Sequence, residues 1–600
     1  MHAPKFFKIN LGLTVSGFAT LAFSRALSPC VSKTVTGGLE AVGVSLIGAG
    51  EALRLVRSEK EAQRGSKRAK ATIRALDGIN QRMVRSRLGG SARSGKGERR
   101  SRRLNDLRVA AILDEFSYQS FSHECDLVAL TPENWREEFD AFPPDFFFCE
   151  SAWSGHDSES RPWKGKIYAS ENFEFENRAV LLEILEYCRR KQIPTVFWNK
   201  EDPSHYDDAK HDFVATAVLF DHILTTDIDC VARYKEEHGH QSVHVLQFAA
   251  QPKLFNPIEE VERTDDIVFA GGWYENHARR SEEMARIFDR ILESGRGLKI
   301  YDRFYGFTDD DTHRFPERFR PFVYPALPGD RVSEAYKESK FGLTINTETQ
   351  SETMFARRIF ELMACNTFVI SNYSKGVENL FGDNVLFLGG ETGSTEKLDD
   401  EFIERARREN LRSVLRDHTY TRRLQEIAKI LGLDVVGPTN ALALGVGVEN
   451  ISEAKEVFEF LRSFQHPSVS SKIIFIGPEI SAFDYGLLLR DLNRDGVRVV
   501  RQTEEFSREM ELLESGSVDA FVIVLARQLP SALVLEDVID SHVLHLQYAS
   551  CAVSQALRKR SPYLVTKQPL EGVATIPVEF VEKSLFAIMH GEPFDQLPVD

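Results

Sequence analysis

Carboxylates and one histidine gather at the ends of apolar runs in the first half of this 600-residue chain. Four segments carry them: Asp114-Glu-Phe-Ser-Tyr118, Glu150-Ser-Ala-Trp153, Trp198-Asn-Lys-Glu-Asp-Pro203 with His205, and Thr225-Thr-Asp227. Groups of this kind remove a proton from a hydroxyl when it attacks an electrophile. The candidate bases are Asp114, Glu150, Glu201, Asp202 and His205, and spacing alone does not rank them. Asp202 precedes Pro203, so it also reads as a turn residue bonded to its own backbone. His205 also reads as an ordinary packed or surface histidine. Trp153 and Trp198 are candidates for a sugar platform, although burial is the commoner use of tryptophan.

A second set lies in Gln350-Ser-Glu-Thr-Met-Phe-Ala-Arg-Arg-Ile-Phe-Glu-Leu-Met-Ala-Cys-Asn-Thr-Phe-Val-Ile-Ser-Asn372. It reads as a loop, a helix, a tight connection and a buried strand. Ser351 or Thr353 is expected to cap the helix start. Phe355, Ile359, Leu362 and Met363 share an apolar face, with Arg357 and Glu361 one turn apart on the opposite side. A helix start offers N–H groups to a phosphate, and a carboxylate on the same helix accepts hydrogen bonds from ribose hydroxyls. The plain alternative is that Arg357 and Glu361 form a solvated i,i+4 pair. Further candidates for an anionic ligand are Gly271, Gly272, Arg279, Lys375 and Gly376, with Asn346 and Thr347 as base or sugar contacts. Paired glycines after a strand let backbone approach a phosphate, or simply make a turn.

These groups need elements to hold them. Leu107–Asp114, Pro144–Glu150, Pro194–Trp198, Asp221–Thr226 and Val243–Gln247 read as strands, with a helix over Ala179–Lys191. Gln251–Pro257 reads as a connection. Asp266–Ala270, Leu298–Tyr301, Phe341–Ile345 and Thr367–Ile370 then form a second set of strands. Strands alternating with helices predict α/β units with parallel sheets, which bind ligands beyond the strand C-termini. The expected organisation is a helical, basic segment over 1–104, α/β units over 105–257 and 258–434, and a last α/β domain over 435–600. A long charged helix, Glu401–Leu431, is expected to close the second unit and pack across both.

Arg-Arg-Ile-Phe-Glu-Leu-Met-Ala-Cys-Asn-Thr-Phe-Val-Ile-Ser resembles the nucleotide-sugar segment of GT-B glycosyltransferases of the CgeB-like (spore-maturation-type) group. Phe-Trp-Asn-Lys-Glu-Asp-Pro is similar to the first domain of that group, and the resemblance runs over roughly Leu107 to Leu388. It implies a GT-B fold of two Rossmann-like domains, a nucleotide-sugar donor held by the second, and a glycan, glycolipid or surface-polymer precursor as acceptor on the first. It implies a metal-independent transferase without a cofactor, and Glu361 as the ribose contact. Two positions depart from the pattern. Asn366 stands where the group has Gly, and the first Glu of the usual Glu-x7-Glu pair falls at Thr353. The last domain resembles a GT-A type domain. Val524-Leu-Ala-Arg-Gln528 stands there in place of a run of Asp, so it offers no carboxylate to a divalent metal. It reads as degenerate. The alternative to an enzyme is a non-catalytic nucleotide-sugar-binding or scaffold protein.

A hydrophobic fraction of 42% with 28% charged residues is that of a soluble globular protein, and a net charge of −15 argues against a general nucleic-acid binder. Seven cysteines without paired spacing suit a reducing, cytoplasmic setting. Ile9–Phe23 is apolar, and the tract from Arg54 to Arg108 is basic. The tract is a candidate for peripheral contact with anionic lipid, or a solvated linker.

Overall fold

The computed structural model describes residues 102–599 except 260, 276, 307–310, 390–398, 438–440, 502–517, 556–562 and 564. The Ile9–Phe23 segment and nearly all of the basic tract lie outside the described residues.

Six parallel strands build the first lobe: β1 (Arg108–Ile112), β2 (Asp126–Ala129), β3 (Phe146–Glu150), β4 (Thr195–Asn199), β5 (His222–Thr225) and β6 (Val243–Val245), in the order β2-β1-β3-β4-β5-β6. Alternate residues of each strand go to opposite faces. Ala110, Ile112, Phe147, Cys149, Phe197 and Ile223 pack under helix α1 (Ala179–Lys191), which contributes Leu181, Ile184 and Cys188. Val109, Phe146, Phe148, Val196, Trp198 and Leu224 pack on the other face. Both faces are apolar because both are covered, which is the rule for parallel sheets.

The second lobe repeats the plan with β7 (Thr264–Gly271), β8 (Leu298–Asp302), β9 (Val323–Pro325), β10 (Ser339–Thr344), β11 (Phe368–Ser371) and β12 (Leu386–Phe387), in the order β9-β8-β7-β10-β11-β12. Helix α2 (Ala278–Glu293) covers one face through Met284, Ile287, Phe288 and Ile291. Helix α3 (Arg358–Ala364) covers the other through Ile359, Phe360 and Leu362. Asn366 follows α3 at φ 53°, the left-handed conformation that Asn tolerates where a glycine is otherwise used.

The long helix expected over Glu401–Leu431 is broken into α4 (Asp400–Asp417) and α5 (Tyr420–Ile430), with Thr419 capping α5 through the Arg422 N–H. Only α4 stays with the second lobe. The α5 residues Tyr420, Leu424, Ile427 and Ala428 complete the core of the first. The Ala250 N–H donates to the His418 carbonyl and the Tyr420 N–H to the Ala250 carbonyl, and buried Arg423 donates to the carbonyls of Gln247 and Phe248, so the two crossings between lobes run side by side. Two Rossmann-like lobes joined in this way form a GT-B fold.

A third sheet follows. Its parallel part is β13 (Leu442–Val448), β14 (Val469–Ile476), β15 (Val497–Arg501) and β16 (Ala520–Leu525). Four further strands, β17 (Ala552–Gln555), β18 (Thr566–Gln568), β19 (Val573–Pro577) and β20 (Phe594–Val599), extend it with mixed direction. Buried Leu411 and Leu415 of α4 pack against Tyr548, Tyr563, Leu597 and Val599 of this domain. Among the described residues no helix is long and apolar enough to cross a membrane.

Candidate functional site

The C-terminal strand ends of the two lobes face each other. On the first lobe, Lys200 lies just beyond β4. Its Nζ is 2.9 Å from Asp114 Oδ2 and 2.8 Å from Glu150 Oε1. The Asp114 carboxylate also accepts the backbone N–H groups of Trp153, Ser154 and Gly155, at 3.0, 2.8 and 2.9 Å. The Asp114 N–H in turn donates to Glu150 Oε1 at 2.7 Å. Burial pushes the Asp114 carboxyl up, but the Lys200 ammonium and these N–H groups outweigh it and hold it below its usual range. Fully buried Glu150 is pushed up by burial, with Lys200 opposing. Lys200 itself is held charged: burial would lower its pKa, and the two carboxylates raise it further. This is a paired, buried charge cluster, the arrangement that lets ionised groups stay out of water. The hydrogen bonds of Asp114 and Glu150 tie three strand ends together, and both carboxylates are engaged by Lys200.

Asp202 is also engaged within the first lobe. It is 0% exposed. Asn199 Nδ2 donates to its Oδ1 and Thr225 Oγ1 to its Oδ2, both at 2.7 Å. Burial pushes its carboxyl up to about 7, partly opposed by those hydrogen bonds. It knits β4 to β5, the turn role that Pro203 suggested. Trp198 is core, stacked on Phe148 with its N–H donated to the Leu246 carbonyl, and is no platform. Asp227 caps α6 (Ile228–His238) through the N–H groups of Asp229 and Cys230.

His205 and Glu201 are the pair left on the edge. The His205 ring is half-buried edge-to-face on Trp153, with centroids 5.7 Å apart. Its Nδ1 lies 3.6 Å from Glu201 Oε2 and makes no hydrogen bond. The Trp153 indole N–H fixes Glu201 at 3.0 Å. Next door, Ser204 Oγ donates to Glu348 Oε1 of the second lobe at 2.8 Å, which places this loop at the cleft.

The second lobe holds a pocket of about 170 Å³ whose lining includes Gly271, Tyr301, Arg303, Tyr336, Arg357 and Arg358. Glu361 adjoins it. Oε2 of Glu361 accepts the Tyr336 hydroxyl at 3.2 Å. Oε1 is buried without a hydrogen bond, 3.4 Å from Arg357 Nε. At 1% exposure Glu361 is not the solvated partner of a surface pair. Arg280 lies beside the pocket. Burial pushes its guanidinium down to about 10, and the charges of Arg358 and Arg303 push the same way. Among the described residues Arg280, Arg303 and Arg358 have no carboxylate partner. Uncompensated guanidinium groups crowded at strand ends are a site for an anion. A larger hollow of about 460 Å³, beside Gln425, Lys429 and Gly437, lies away from both strand edges.

The loop before α3 behaves differently from expectation. The helix begins at Arg358, so neither Ser351 nor Thr353 caps it. Ser351 Oγ accepts the Met354 N–H at 2.9 Å within the loop. Thr353 reaches the first lobe: its hydroxyl donates to the Thr226 carbonyl and accepts the Ile228 N–H, each at 2.9 Å. Asn346 is buried, with Oδ1 on the Ala356 N–H and Nδ2 on Ser371 Oγ, so it braces the loop. Lys375 pairs with Glu352 at 2.8 Å on the surface. A Cβ on Gly376 would come within 3.0 Å of the Glu352 carbonyl, so glycine lets the loop lie against this turn. Gly271 and Gly272 serve close packing too, since a Cβ at either would meet Phe269 or Phe304 at 2.6 Å. Gly271 and Arg357 do line the pocket, whereas Arg279 is exposed. Sequence reasoning missed Arg280, Arg303, Arg358 and Tyr336. The available signal was a basic residue just beyond β8 and two at or near helix starts, all in the second lobe.

Two facing lobes, one with a basic pocket and one with a histidine–carboxylate pair, define a GT-B α/β protein. Residues 279–429, most of the second lobe, match the family described as Glycosyl transferase-like. No curated protein matches the chain by sequence. Among solved structures, a cytidylyltransferase from Leptospira borgpetersenii matches at 11% identity over 24% of this chain and 63% of that one, with a TM-score of 0.17. A mutant of TarM from S. aureus, in complex with Fondaparinux, alpha-GlcNAc-glycerol and UDP, matches at 10% over 42% and 58%, with a TM-score of 0.29. An alpha-glucosyltransferase in complex with UDP and a 13-mer DNA matches at 9% over 54% and 99%, with a TM-score of 0.39. The chain thus spans less than two thirds of the first two. Similarity this low says nothing about the substrate of this chain.

Proposed function

We propose that the chain transfers a sugar from a nucleotide-sugar, bound in the second lobe, to a glycan, glycolipid or surface-polymer precursor on the first. The observation that carries this is the buried Oε1 of Glu361, which makes no hydrogen bond, beside a pocket lined by Arg303, Arg357 and Arg358. A ribose hydroxyl satisfies a buried carboxylate oxygen, and a diphosphate satisfies crowded guanidinium groups. The acceptor oxygen bonds to the anomeric carbon as the bond from that carbon to the diphosphate oxygen breaks. The leaving electron pair stays on the diphosphate, where Arg280, Arg303 and Arg358 offset its charge. His205 takes the acceptor proton, oriented by Glu201. The arginines supply positive charge that a divalent metal supplies elsewhere, so turnover should persist in chelator.

The setting is cytoplasmic, a reading supported by seven cysteines without paired spacing, and residues 1–104 touch anionic membrane, a reading supported by the basic tract alone. The last domain is a degenerate GT-A-like unit, a reading supported by the absence of carboxylates from Val524 to Gln528. A panel of nucleotide-sugars tested for donor hydrolysis, alongside calorimetry with the matching nucleoside diphosphates, examines the function. Hydrolysis of one donor with tight binding of its diphosphate is expected. Binding without turnover for every donor would make the chain a nucleotide-sugar-binding scaffold, and absence of both would remove the donor site.

A further inference from the structure

Trp153 is the hub of a run of aromatic rings that leads away from His205 across the first lobe. Besides His205 it meets His211 at 5.1 Å and Tyr168 at 5.9 Å between centroids, and Tyr168 meets His211 at 5.0 Å. Phe173 continues the run. A Cβ built on Gly165 would lie 3.7 Å from Phe173 Cζ and 3.9 Å from the Tyr168 hydroxyl, so both rings converge over this glycine at φ +71°. Phe175 ends the run, 6.1 Å from Phe173.

The last two rings face solvent. Phe173 is 39% exposed and Phe175 is 71% exposed. The backbone beneath them is fixed. Ala169 and Asp212 exchange hydrogen bonds, and the Glu171 N–H donates to the Ala209 carbonyl. The aromatic loop is thereby pinned to the same segment that carries His205 and His211. Asn177 Nδ2 donates to the carbonyls of Gly165 and Tyr168, at 2.6 and 2.7 Å, and closes the loop. Exposed phenylalanines held on a braced backbone mark a contact surface more than stray surface apolar residues do.

Resting on the proposed function, we infer that this run is an extended acceptor subsite for an uncharged oligosaccharide, with the reacting end at His205 and the far end at Phe175. Pyranose rings present a face of C–H groups, and aromatic rings carry negative faces that attract such groups while covering apolar area. Successive rings then hold successive sugar units. The charge at the far end selects against an anionic polymer: Glu171, Glu174 and Glu176 flank the two phenylalanines, and of these Glu176 is paired with Arg178, while Arg161 lies near Tyr168. A phosphate- or uronate-bearing chain would meet like charge along this stretch.

Saturation-transfer NMR on the full chain tests the subsite, using neutral gluco-, manno- and galacto-configured hexasaccharides and their monosaccharides. A hexasaccharide of one series should bind at least tenfold more tightly than its monosaccharide. Phe173→Ala combined with Phe175→Ala should remove that advantage while nucleoside diphosphate binding by calorimetry is unchanged. Both rings are exposed, so the variant should fold, and circular dichroism checks that it does. If no neutral hexasaccharide binds, or if the double variant binds it as well as the parent, the subsite is wrong. Preferential binding of a polyuronate or polyol phosphate would also overturn it. Loss of nucleotide binding in the parent is a separate result that defeats the donor reading alone.

Discussion

The Arg357 guanidinium of the second lobe lies 3.2 Å from the centroid of the Phe116 ring, which the first lobe presents just after Asp114. One arginine therefore touches the second-lobe pocket, Glu361 and the opposite lobe at once. A cation over an aromatic face contributes about 0.5–1 kcal/mol at a partly exposed site. A double-mutant cycle of Phe116→Leu and Arg357→Gln, read by chemical denaturation, should return a coupling of that size. Strict additivity would remove the contact as a link between lobes.

Glu361→Gln keeps the shape of the side chain and removes its charge. It should weaken nucleoside diphosphate binding by about 1.5–3 kcal/mol, the range for hydrogen bonds to a charged group. Arg358→Ala should weaken the diphosphate more than the nucleoside, whereas Glu361→Gln should weaken both. Calorimetry with the two ligands separates these patterns.

Lys200→Met should be among the most damaging substitutions in the first lobe. It strands Asp114 and Glu150 against each other without a counter-charge, and breaking a buried pair costs about 3–5 kcal/mol. The melting temperature should fall well below that of the parent. A variant as stable as the parent would show that the cluster is not holding the strand ends.

Asp202 gives stability a pH slope. Its carboxyl is raised to about 7 in the fold, so the folded chain holds a proton that the unfolded chain has released. That contribution is complete below the ordinary carboxylate range and is lost as pH rises through about 7. Urea midpoints for parent and Asp202→Asn, measured from pH 4 to 8, should diverge, with the parent losing ground to the variant as pH rises. Parallel curves would show that the carboxyl is not buried as described.

His205→Ala should lower kcat by about 10²–10⁴-fold, the usual contribution of a general base, while leaving nucleotide affinity in place. Glu201→Gln should have a smaller effect in the same direction. Turnover within a few-fold of the parent in both variants would move the proton transfer elsewhere.

The two-lobe fold was legible because long strands buried on both faces, such as Phe146–Glu150 and Thr195–Asn199, read as apolar runs whatever their surroundings. Short edge strands were not legible: Asp126–Ala129 buries two of its four residues, and Leu386–Phe387 is two residues long. In the third sheet Leu442–Val448 is interrupted by Gly445 and Gly447, which weaken the strand signal, and Gly445 suits close packing on Phe475. The site was legible at the level of strand ends. It was not legible at the level of side chains, because long-range contacts decided their use. Lys200 takes up Asp114 across 86 positions, and Thr353 is drawn to Thr226 across 127. The pocket arginines belong to no compact motif and meet only once β7, β8 and α3 are assembled.

The backbone bonds that join Ala250 to His418 and Tyr420 have a topological meaning. The chain leaves the first lobe and re-enters it at neighbouring points, and α5 then finishes a core begun 300 residues earlier by β1. Arg102–Arg103 pairing with Val435–Val436 closes the same circuit. The second lobe, from about 251 to 418, is thus an insertion into a discontinuous first lobe, tethered by two adjacent strands of chain rather than one. Two adjacent tethers resist twisting of one lobe against the other more than a single tether would.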